Sequence, residues 1–222
     1  MPTLYVVSNH CLTMKFFLSS MGLGDHANEL GILVSGKKRI GVIRNALDSW
    51  NDHERLREGL DREFSELGTL GLFPEEIDLR KYFNAQDDLR GILGKLDALW
   101  VCGGNTFILR RAMQQSSLDA ILLERSKDEQ FVYAGYSAGS CVATPTLKGI
   151  HLVDDPGAIP EGYSKRIIWD GLSLVPFCIA PHYRSDNPES RLIEKSVEYF
   201  IDRKIPFIAL HDGEVYIEGL KK

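Results

Sequence analysis

The 222-residue chain lacks the features that mark membrane, secreted and nucleic-acid-binding proteins. None of its apolar runs approaches the roughly 20 residues of a transmembrane helix, and its N-terminus has no basic start followed by a long apolar stretch. It has no basic cluster with interleaved aromatic residues, and its net charge is −5. We therefore expect a cytoplasmic protein with neither a membrane nor a nucleic acid as partner.

The sequence is equally poor in signals for metals and cofactors. Its four cysteines form no C-x-x-C pair, so neither a zinc site nor a dithiol motif is indicated. Scattered cysteines suit a reducing compartment and are expected to be small buried residues. No Lys-Ser or Lys-Thr follows the glycine pair Gly103-Gly104, so a Walker motif is absent. We expect no metal ion and no cofactor. The cysteines are Cys11, Cys102, Cys141 and Cys178.

No linker rich in Pro, Gly or Ser divides the chain, which predicts one domain over residues 14–222. Residues 1–13 are predicted to be an N-terminal extension, because a better strand begins after Met14 than the short one at Leu4–Val7. Apolar strand candidates alternate with helical patterns, which predicts a single α/β domain, a three-layer sandwich with a mainly parallel sheet flanked by helices. The strand candidates are Lys15–Ser19, Arg39–Arg44, Ala98–Cys102, Phe131–Ala134, Phe177–Ala180, Pro206–Leu210 and Glu214–Ile217. The helix candidates are Asp52–Leu67, Thr106–Gln114, Leu118–Lys127 and Glu189–Arg203.

The most informative motif is Gly135-Tyr136-Ser137-Ala138-Gly139, between a predicted strand and a predicted helix. A serine at such a turn is typical of hydrolases, where the backbone presents the hydroxyl and a base takes its proton. The flanking glycines are expected because a side chain there would collide with a neighbouring strand or helix. The motif predicts that Ser137 is a nucleophile.

A nucleophilic serine needs a base and an acid. His182 follows the strand candidate Phe177–Ala180, at the edge of the sheet where α/β proteins place their sites, and it is the first choice as base. His211 follows another strand candidate and is the alternative. Candidates for the acid are Asp154 and Asp155, which precede Pro156 and also suit a turn, followed by Asp170 and Glu161.

A second motif, Cys102-Gly103-Gly104-Asn105-Thr106, ends a strand candidate and begins a helix candidate. Bare amides at such a loop suit an oxyanion. The simpler alternative is a strand-to-helix turn with Asn105 or Thr106 as the N-cap. Only 45 residues separate Ser137 from His182, too few for the units that an ordinary α/β-hydrolase inserts there. A smaller α/β sandwich is favoured.

Together these motifs resemble the family of dipeptidase E (aspartyl dipeptidase) and cyanophycinase, which is related to the class I glutamine amidotransferases. The resemblance covers most of the chain from Met14 onward. Its anchors are Cys102–Phe107, Gly135–Gly139, Thr144-Pro145-Thr146 and Pro181-His182-Tyr183.

The resemblance implies that Ser137 is the nucleophile and His182 the base, with the amides of Gly104 and Ala138 as oxyanion hole. It also implies a short peptide substrate, such as one with N-terminal Asp, with Asn105 close to the substrate, and it leaves a homodimer open. The family grips the substrate carboxylate with the arginine of a Glu-Thr-Arg motif, and Glu189-Ser190-Arg191 stands in that place. Arg184 is the second candidate for this role.

The sequence departs from the family pattern at the acid. Relatives carry Thr-Asn-Asp a few residues after Pro-Thr, whereas Gly149–Leu152 contains no acid here. Asp154 or Asp155 is the expected replacement. The resulting prediction is a serine exopeptidase for short peptides. The alternatives are a hydrolase of β-aspartyl, cyanophycin-like or ester bonds, and a binding protein without catalytic activity.

Overall fold

A computed structural model describes residues 13–83 and 85–220. The strands are β1 (Lys15–Ser19), β2 (Arg39–Ile43), β3 (Phe73–Glu76), β4 (Ala98–Val101), β5 (Val132–Tyr136), β6 (Cys178–Ala180), β7 (Phe207–Ala209) and β8 (Val215–Glu218). The helices are α1 (Ala27–Leu33), α2 (His53–Thr69), α3 (Gln86–Leu93), α4 (Thr106–Gln115), α5 (Leu118–Glu124), α6 (Ala138–Cys141) and α7 (Ser190–Asp202).

Six strands form the central sheet in the order β3-β2-β4-β5-β1-β8. All neighbours are parallel except β8, which runs antiparallel to β1. Strands β6 and β7 form a separate parallel pair. The predicted α/β sandwich with a mainly parallel sheet is confirmed.

Two apolar layers cover the two faces of the sheet, because successive strand side chains point to opposite sides. Phe16 and Leu18 of β1 belong to one buried cluster, which also contains Tyr133. Phe17 lies between them in sequence and belongs to the other cluster, together with Trp100. Near-continuous apolar runs of this kind are typical of parallel strands buried on both faces.

The described cysteines Cys102, Cys141 and Cys178 are free and buried, as predicted, while Cys11 lies outside the described residues. Burial raises the pKa of the Cys102 and Cys141 thiols well above their usual range. Protonated, buried thiols act as small apolar groups.

All seven strand candidates between Lys15 and Ile217 correspond to strands. The candidate Leu4–Val7 lies outside the described residues. Strand β3 escaped prediction because its sequence is Phe73-Pro74-Glu75-Glu76. Proline and charged residues are tolerated at the edge of a sheet, and β3 pairs only with β2. Helices α1 and α3 were also missed. In the described part of the chain, no helix is both long and apolar enough to cross a bilayer.

Candidate active site

Ser137 lies at a strained turn between β5 and α6. Its backbone has φ +49° and ψ −114°, a conformation that costs a non-glycine residue of order 1–3 kcal/mol. A Cβ atom at Gly139 would lie 2.0 Å from the Val101 carbonyl oxygen, and one at Gly135 would lie 2.9 Å from the same atom. The flanking glycines therefore let the turn pack against β4, which is the collision with a neighbouring strand that the sequence predicted.

His182 directly faces this serine. It follows β6, its side chain is 3% exposed, and its Nε2 lies 3.1 Å from Ser137 Oγ. Its Nδ1 lies 2.6 Å from Oδ1 of Asp212, which follows β7. An ionised carboxylate can only accept, so Nδ1 carries the proton and donates it to Asp212. Nε2 is then free to accept a hydrogen bond from the Ser137 hydroxyl.

Asn187 makes a second contact with the same imidazole, with its amide nitrogen 3.1 Å from Nδ1. An amide N–H could donate there only if Nδ1 were unprotonated, which would set the Asp212 carboxylate against a lone pair. We therefore assign the tautomer from Asp212. If the negative charge of Asp212 were removed, the Asn187 amide could donate a hydrogen bond to an unprotonated Nδ1.

The structure corrects the choice of acid. The carboxylate of Asp154 accepts a hydrogen bond from the amide of Thr106 at 2.8 Å, at the start of α4. Asp155 is exposed and accepts from the amide of Gly157. Neither is hydrogen-bonded to His182; each carboxylate accepts from a backbone amide instead.

The other candidates lie elsewhere. Asp170 takes part in a β-bridge with Thr146, and Glu161 is exposed. His211, the alternative base, is exposed beside the ring of Tyr183.

Sequence reasoning missed Asp212 because Asp212-Gly213 suits a turn. A usable signal was present: Asp212 follows the strand that pairs in parallel with the one preceding His182. Parallel partners end at the same edge of a sheet, so residues that follow them lie close together.

Ser20 links the parts of this site and was also missed. Its buried hydroxyl accepts a hydrogen bond from the His182 amide at 2.7 Å and donates to Asp212 Oδ1 at 2.8 Å. Its carbonyl oxygen accepts from the Ser137 amide at 3.1 Å. The end of β1 therefore holds the backbone of the serine, the backbone of the histidine and the carboxylate in one network.

The amides of Gly104 and Ala138 donate no backbone hydrogen bond in the described part of the chain. Ala138 follows Ser137 directly, and Gly104 lines the same cavity as Ser137. The first residue of a helix has no intrahelical acceptor for its N–H, and α6 begins at Ala138. Gly104 adopts φ +132°, and a Cβ there would lie 2.7 Å from the Ala46 carbonyl oxygen. Glycine is required at this position both by its backbone conformation and by the available space.

Asn105 is occupied as a helix cap. Its Oδ1 accepts from the amides of Phe107 and Ile108 at 2.9 and 3.0 Å, and its Nδ2 donates to the Asp155 carbonyl at 3.0 Å. The side chain has little capacity left for a substrate. The predicted substrate-binding role of Asn105 is replaced by the simpler capping role.

The predicted carboxylate-binding arginines also lie apart from the site. Arg191 is exposed in the first turn of α7 and does not line the cavity that opens on Ser137. Arg184 is exposed as well, 3.5 Å from Glu194 and over the ring of Tyr183.

That cavity, called here the Ser137 cavity, has a volume of about 590 Å³, within the range of small-molecule sites. Ser137 and His182 lie in its wall with Gly103 and Gly104. The opposite wall comes from α2 and the loop after β2, with Arg44, Leu47, Trp50, Arg55, Leu56, Glu58, Gly59, Arg62 and Glu63. Among residues 13–83 and 85–220, no three His, Cys, Asp or Glu side chains are grouped to hold a metal ion.

The raised pKa of Asp154 predicts how the stability of the protein depends on pH. Burial raises its pKa to about 6, and hydrogen bonds from Thr106 offset part of that rise. The native pKa lies above the ordinary value of 3.8, so the native state binds the proton more tightly and loses stability as pH rises from about 4 to 6. Asp154→Asn keeps an acceptor for Thr106 and should be more stable than the parent protein above pH 7, by about 1–2 kcal/mol.

Thermal unfolding of both proteins at pH 4, 5, 6 and 7.5 measures this difference. It should shrink towards zero at pH 4. A stability difference between the two proteins that does not depend on pH would contradict the raised pKa of Asp154. Asp154→Asn should keep the activity within about threefold of the parent protein, because the Asp154 carboxylate is not bonded to His182.

Most of this site lies in the part of the chain that matches a known family. The model of peptidase family S51 matches residues 37–219. The chain belongs to peptidase family S51. That match includes Ser137, His182 and Asp212.

Relatives agree with this membership, and a solved structure shares the fold. An uncharacterised peptidase of Listeria innocua is 31% identical over 148 residues, which are 66% of this chain and 67% of that protein. A Drosophila melanogaster protein named as a probable alpha-aspartyl dipeptidase is 32% identical over 145 residues, 62% of this chain and 57% of its own. A Listeria monocytogenes structure described as a peptidase E has a TM-score of 0.70 at 23% identity, over 94% of this chain and 99% of its own.

Proposed function

We propose that this member of family S51 is a serine-type dipeptidase that hydrolyses short peptides, including those with N-terminal Asp. The observation that carries the proposal is the continuous chain of contacts from Ser137 through His182 to Asp212, with distances of 3.1 and 2.6 Å, at the wall of a cavity. The names of the alpha-aspartyl dipeptidase and peptidase E relatives support the choice of substrate class.

In the proposed reaction, Ser137 Oγ attacks the carbonyl carbon of the scissile peptide bond while His182 Nε2 takes the hydroxyl proton. Asp212 holds the imidazole in the required tautomer and stabilises the imidazolium that forms. The amides of Gly104 and Ala138 donate to the oxyanion. His182 then gives its proton to the leaving amine, and the bond to that amine breaks.

The acyl group remains on Ser137 as an ester. A water molecule, deprotonated by His182, attacks this ester and releases the N-terminal residue as its carboxylate. The proton returns to Ser137 Oγ, so the enzyme is regenerated without a metal ion or a redox partner. The size of the cavity suits a dipeptide better than a folded protein.

A substrate panel tests the proposal. We expect the wild-type protein to hydrolyse Asp-Leu and to do so faster than Ala-Leu, β-aspartyl-leucine or p-nitrophenyl acetate, as measured by kcat/KM. A preference for β-aspartyl-leucine or for the ester would select the corresponding alternative hydrolase. If no substrate is cleaved and a fluorophosphonate probe leaves Ser137 unlabelled, the protein is a binding protein instead.

A further inference from the structure

The Ser137 cavity has charged lining residues that the serine, histidine and aspartate do not explain. Three guanidinium groups line it, Arg44 from the loop after β2 and Arg55 and Arg62 from α2, beside the carboxylates of Glu58, Glu63 and Glu189. Arg55 and Arg62 are exposed, whereas Arg44 is partly buried. Arg44 is therefore the cation of this wall that has lost most of its hydration.

Arg44 has no counter-ion in the described part of the chain, since its guanidinium makes no ion pair there. The most buried carboxylate of the wall, Glu63, accepts hydrogen bonds from Trp100 Nε1 at 2.6 Å and Tyr136 OH at 2.9 Å. Each of its oxygens thus accepts one hydrogen bond from an aromatic side chain, and neither forms an ion pair with Arg44 within the described residues. A partly buried cation without a partner is costly, and an incoming anion relieves that cost.

The fold makes room for Arg44 at the expense of a helix position. A Cβ atom at Gly59 would lie 2.8 Å from Arg44 Nη2. Gly59 stands inside the 17-residue helix α2, where glycine is less favourable than alanine. The missing side chain lets the guanidinium lie close against the helix. Arg44 therefore lies against α2 at the cavity, partly shielded from solvent.

The backbone on both sides of Arg44 is tied to the loop that carries Gly104. The Ile43 carbonyl accepts from the Cys102 amide at 2.9 Å, and the Ala46 carbonyl accepts from the Asn105 amide, also at 2.9 Å. This fixes Arg44 relative to the proposed oxyanion amides. A guanidinium is suited to the task, since it can grip a carboxylate through two parallel hydrogen bonds.

From this placement we infer that Arg44 binds a carboxylate of the substrate in the Ser137 cavity, a role that the sequence had assigned to Arg191. The inference rests on the proposed peptidase function. The carboxylate has two sources in a dipeptide: an acidic side chain of the N-terminal residue, or the free C-terminus. Both offer the same planar anion, so peptides must separate them.

The experiment measures the dissociation constants of four peptides by calorimetry on the non-hydrolysing Ser137→Ala protein. The peptides are Asp-Leu, Asp-Leu amide, Ala-Leu and Ala-Leu amide. Adding Arg44→Gln should weaken binding by about 10- to 100-fold for peptides that carry the contacted carboxylate, as expected for a charge-assisted hydrogen-bonded pair. Ala-Leu amide carries no carboxylate and should bind equally to both proteins.

The set of peptides that lose affinity identifies which carboxylate Arg44 contacts. A loss for Asp-Leu and Asp-Leu amide assigns the side chain, whereas a loss for Asp-Leu and Ala-Leu assigns the C-terminus. Arg57→Gln is the matched control, because Arg57 is exposed on α2 and does not line the cavity. It should change no dissociation constant by more than about twofold. Arg44→Lys keeps the charge without the planar guanidinium. Its affinity for these peptides should lie between those of the Ser137→Ala protein with Arg44 intact and with Arg44→Gln.

Three results would overturn the inference: equal weakening for all four peptides, no weakening for any, or a carboxylate-dependent loss with Arg191→Gln and none with Arg44→Gln. Failure of all four peptides to bind the Ser137→Ala protein would overturn it too. If Arg44→Gln proves unfolded by thermal melting, the affinities of Arg44→Lys for the four peptides decide the question in its place. Carboxylate-dependent binding together with no hydrolysis by the wild-type protein would reject the peptidase proposal and retain the Arg44 site.

Discussion

Replacing Ser137 by alanine should lower kcat/KM for the best dipeptide by about 10⁴-fold or more. The substitution removes the hydroxyl that forms the proposed acyl-enzyme, while the amides of Gly104 and Ala138 and the rest of the cavity remain. A small residual rate is therefore expected from transition-state binding alone. The fluorophosphonate adduct should also be lost.

Ser65→Ala is the matched control for this experiment. Ser65 is exposed on α2, and its replacement makes the same chemical change outside the Ser137 cavity. Its kcat/KM should stay within about twofold of the wild-type value. Retention of wild-type peptidase activity by the purified Ser137→Ala protein would refute the proposed nucleophile, since no other serine hydroxyl in the described chain is bonded to the His182 imidazole.

The second large effect should come from Asp212→Asn, with a fall in kcat of about 10³- to 10⁴-fold and little change in KM. Without the negative charge, His182 Nδ1 can accept a hydrogen bond from an amide N–H, either that of the new asparagine or that of Asn187 at 3.1 Å. The ring proton then resides on Nε2, which donates to Ser137 Oγ and can no longer take its proton.

Asp155→Asn serves as the control, because it makes the same change in an exposed carboxylate that bonds only Gly157. The pH profile adds a readout that loss of folding would not produce. The residual activity of Asp212→Asn should rise with pH as hydroxide begins to replace the missing general base. If Asp155→Asn or Asp154→Asn is the damaging variant and Asp212→Asn is not, the acid has been assigned wrongly.

Much of the scaffold could be predicted from local patterns. The apolar runs of β1, β4 and β5 are long enough to require burial on both faces, and the helices between strands require parallel pairing. The edge strand β3 could not be found this way, because Pro74 and two glutamates hide its strand character. An edge position relaxes the demand for hydrogen bonds and apolar faces, and with it the sequence signal.

The nucleophile and its base could also be predicted from local patterns, whereas the contact between them comes from the fold. Ser137 stands in a local motif whose glycines are explained by one contact, with the carbonyl of Val101. His182 is predicted as the base because it follows an apolar strand candidate, and the resemblance to a family implies the same pairing with Ser137. The structure brings the two side chains within hydrogen-bond distance.

The position of Asp212 after a strand was a partial signal, but its contact with His182 and the position of Arg44 at the cavity depended on tertiary structure. Asp212 and Arg44 come from distant parts of the chain, and each sits beside residues that suit an ordinary turn or surface. Arg191 matched a motif yet lies outside the cavity. A side chain's partner is set by which strands end at the same edge of the sheet, and sequence distance does not carry that information.

By itself the sequence determined the α/β class, the strained serine turn and the glycine pair, because each depends on residues that are close in the chain and on rules of sterics and burial. Only the folded chain decided that Asp212 and not Asp154 faces the imidazole, and that Arg44 and not Arg191 faces the cavity. The physical reason is that hydrogen bonds and ion pairs act over about 3 Å in space, so their partners are fixed by strand order and loop packing.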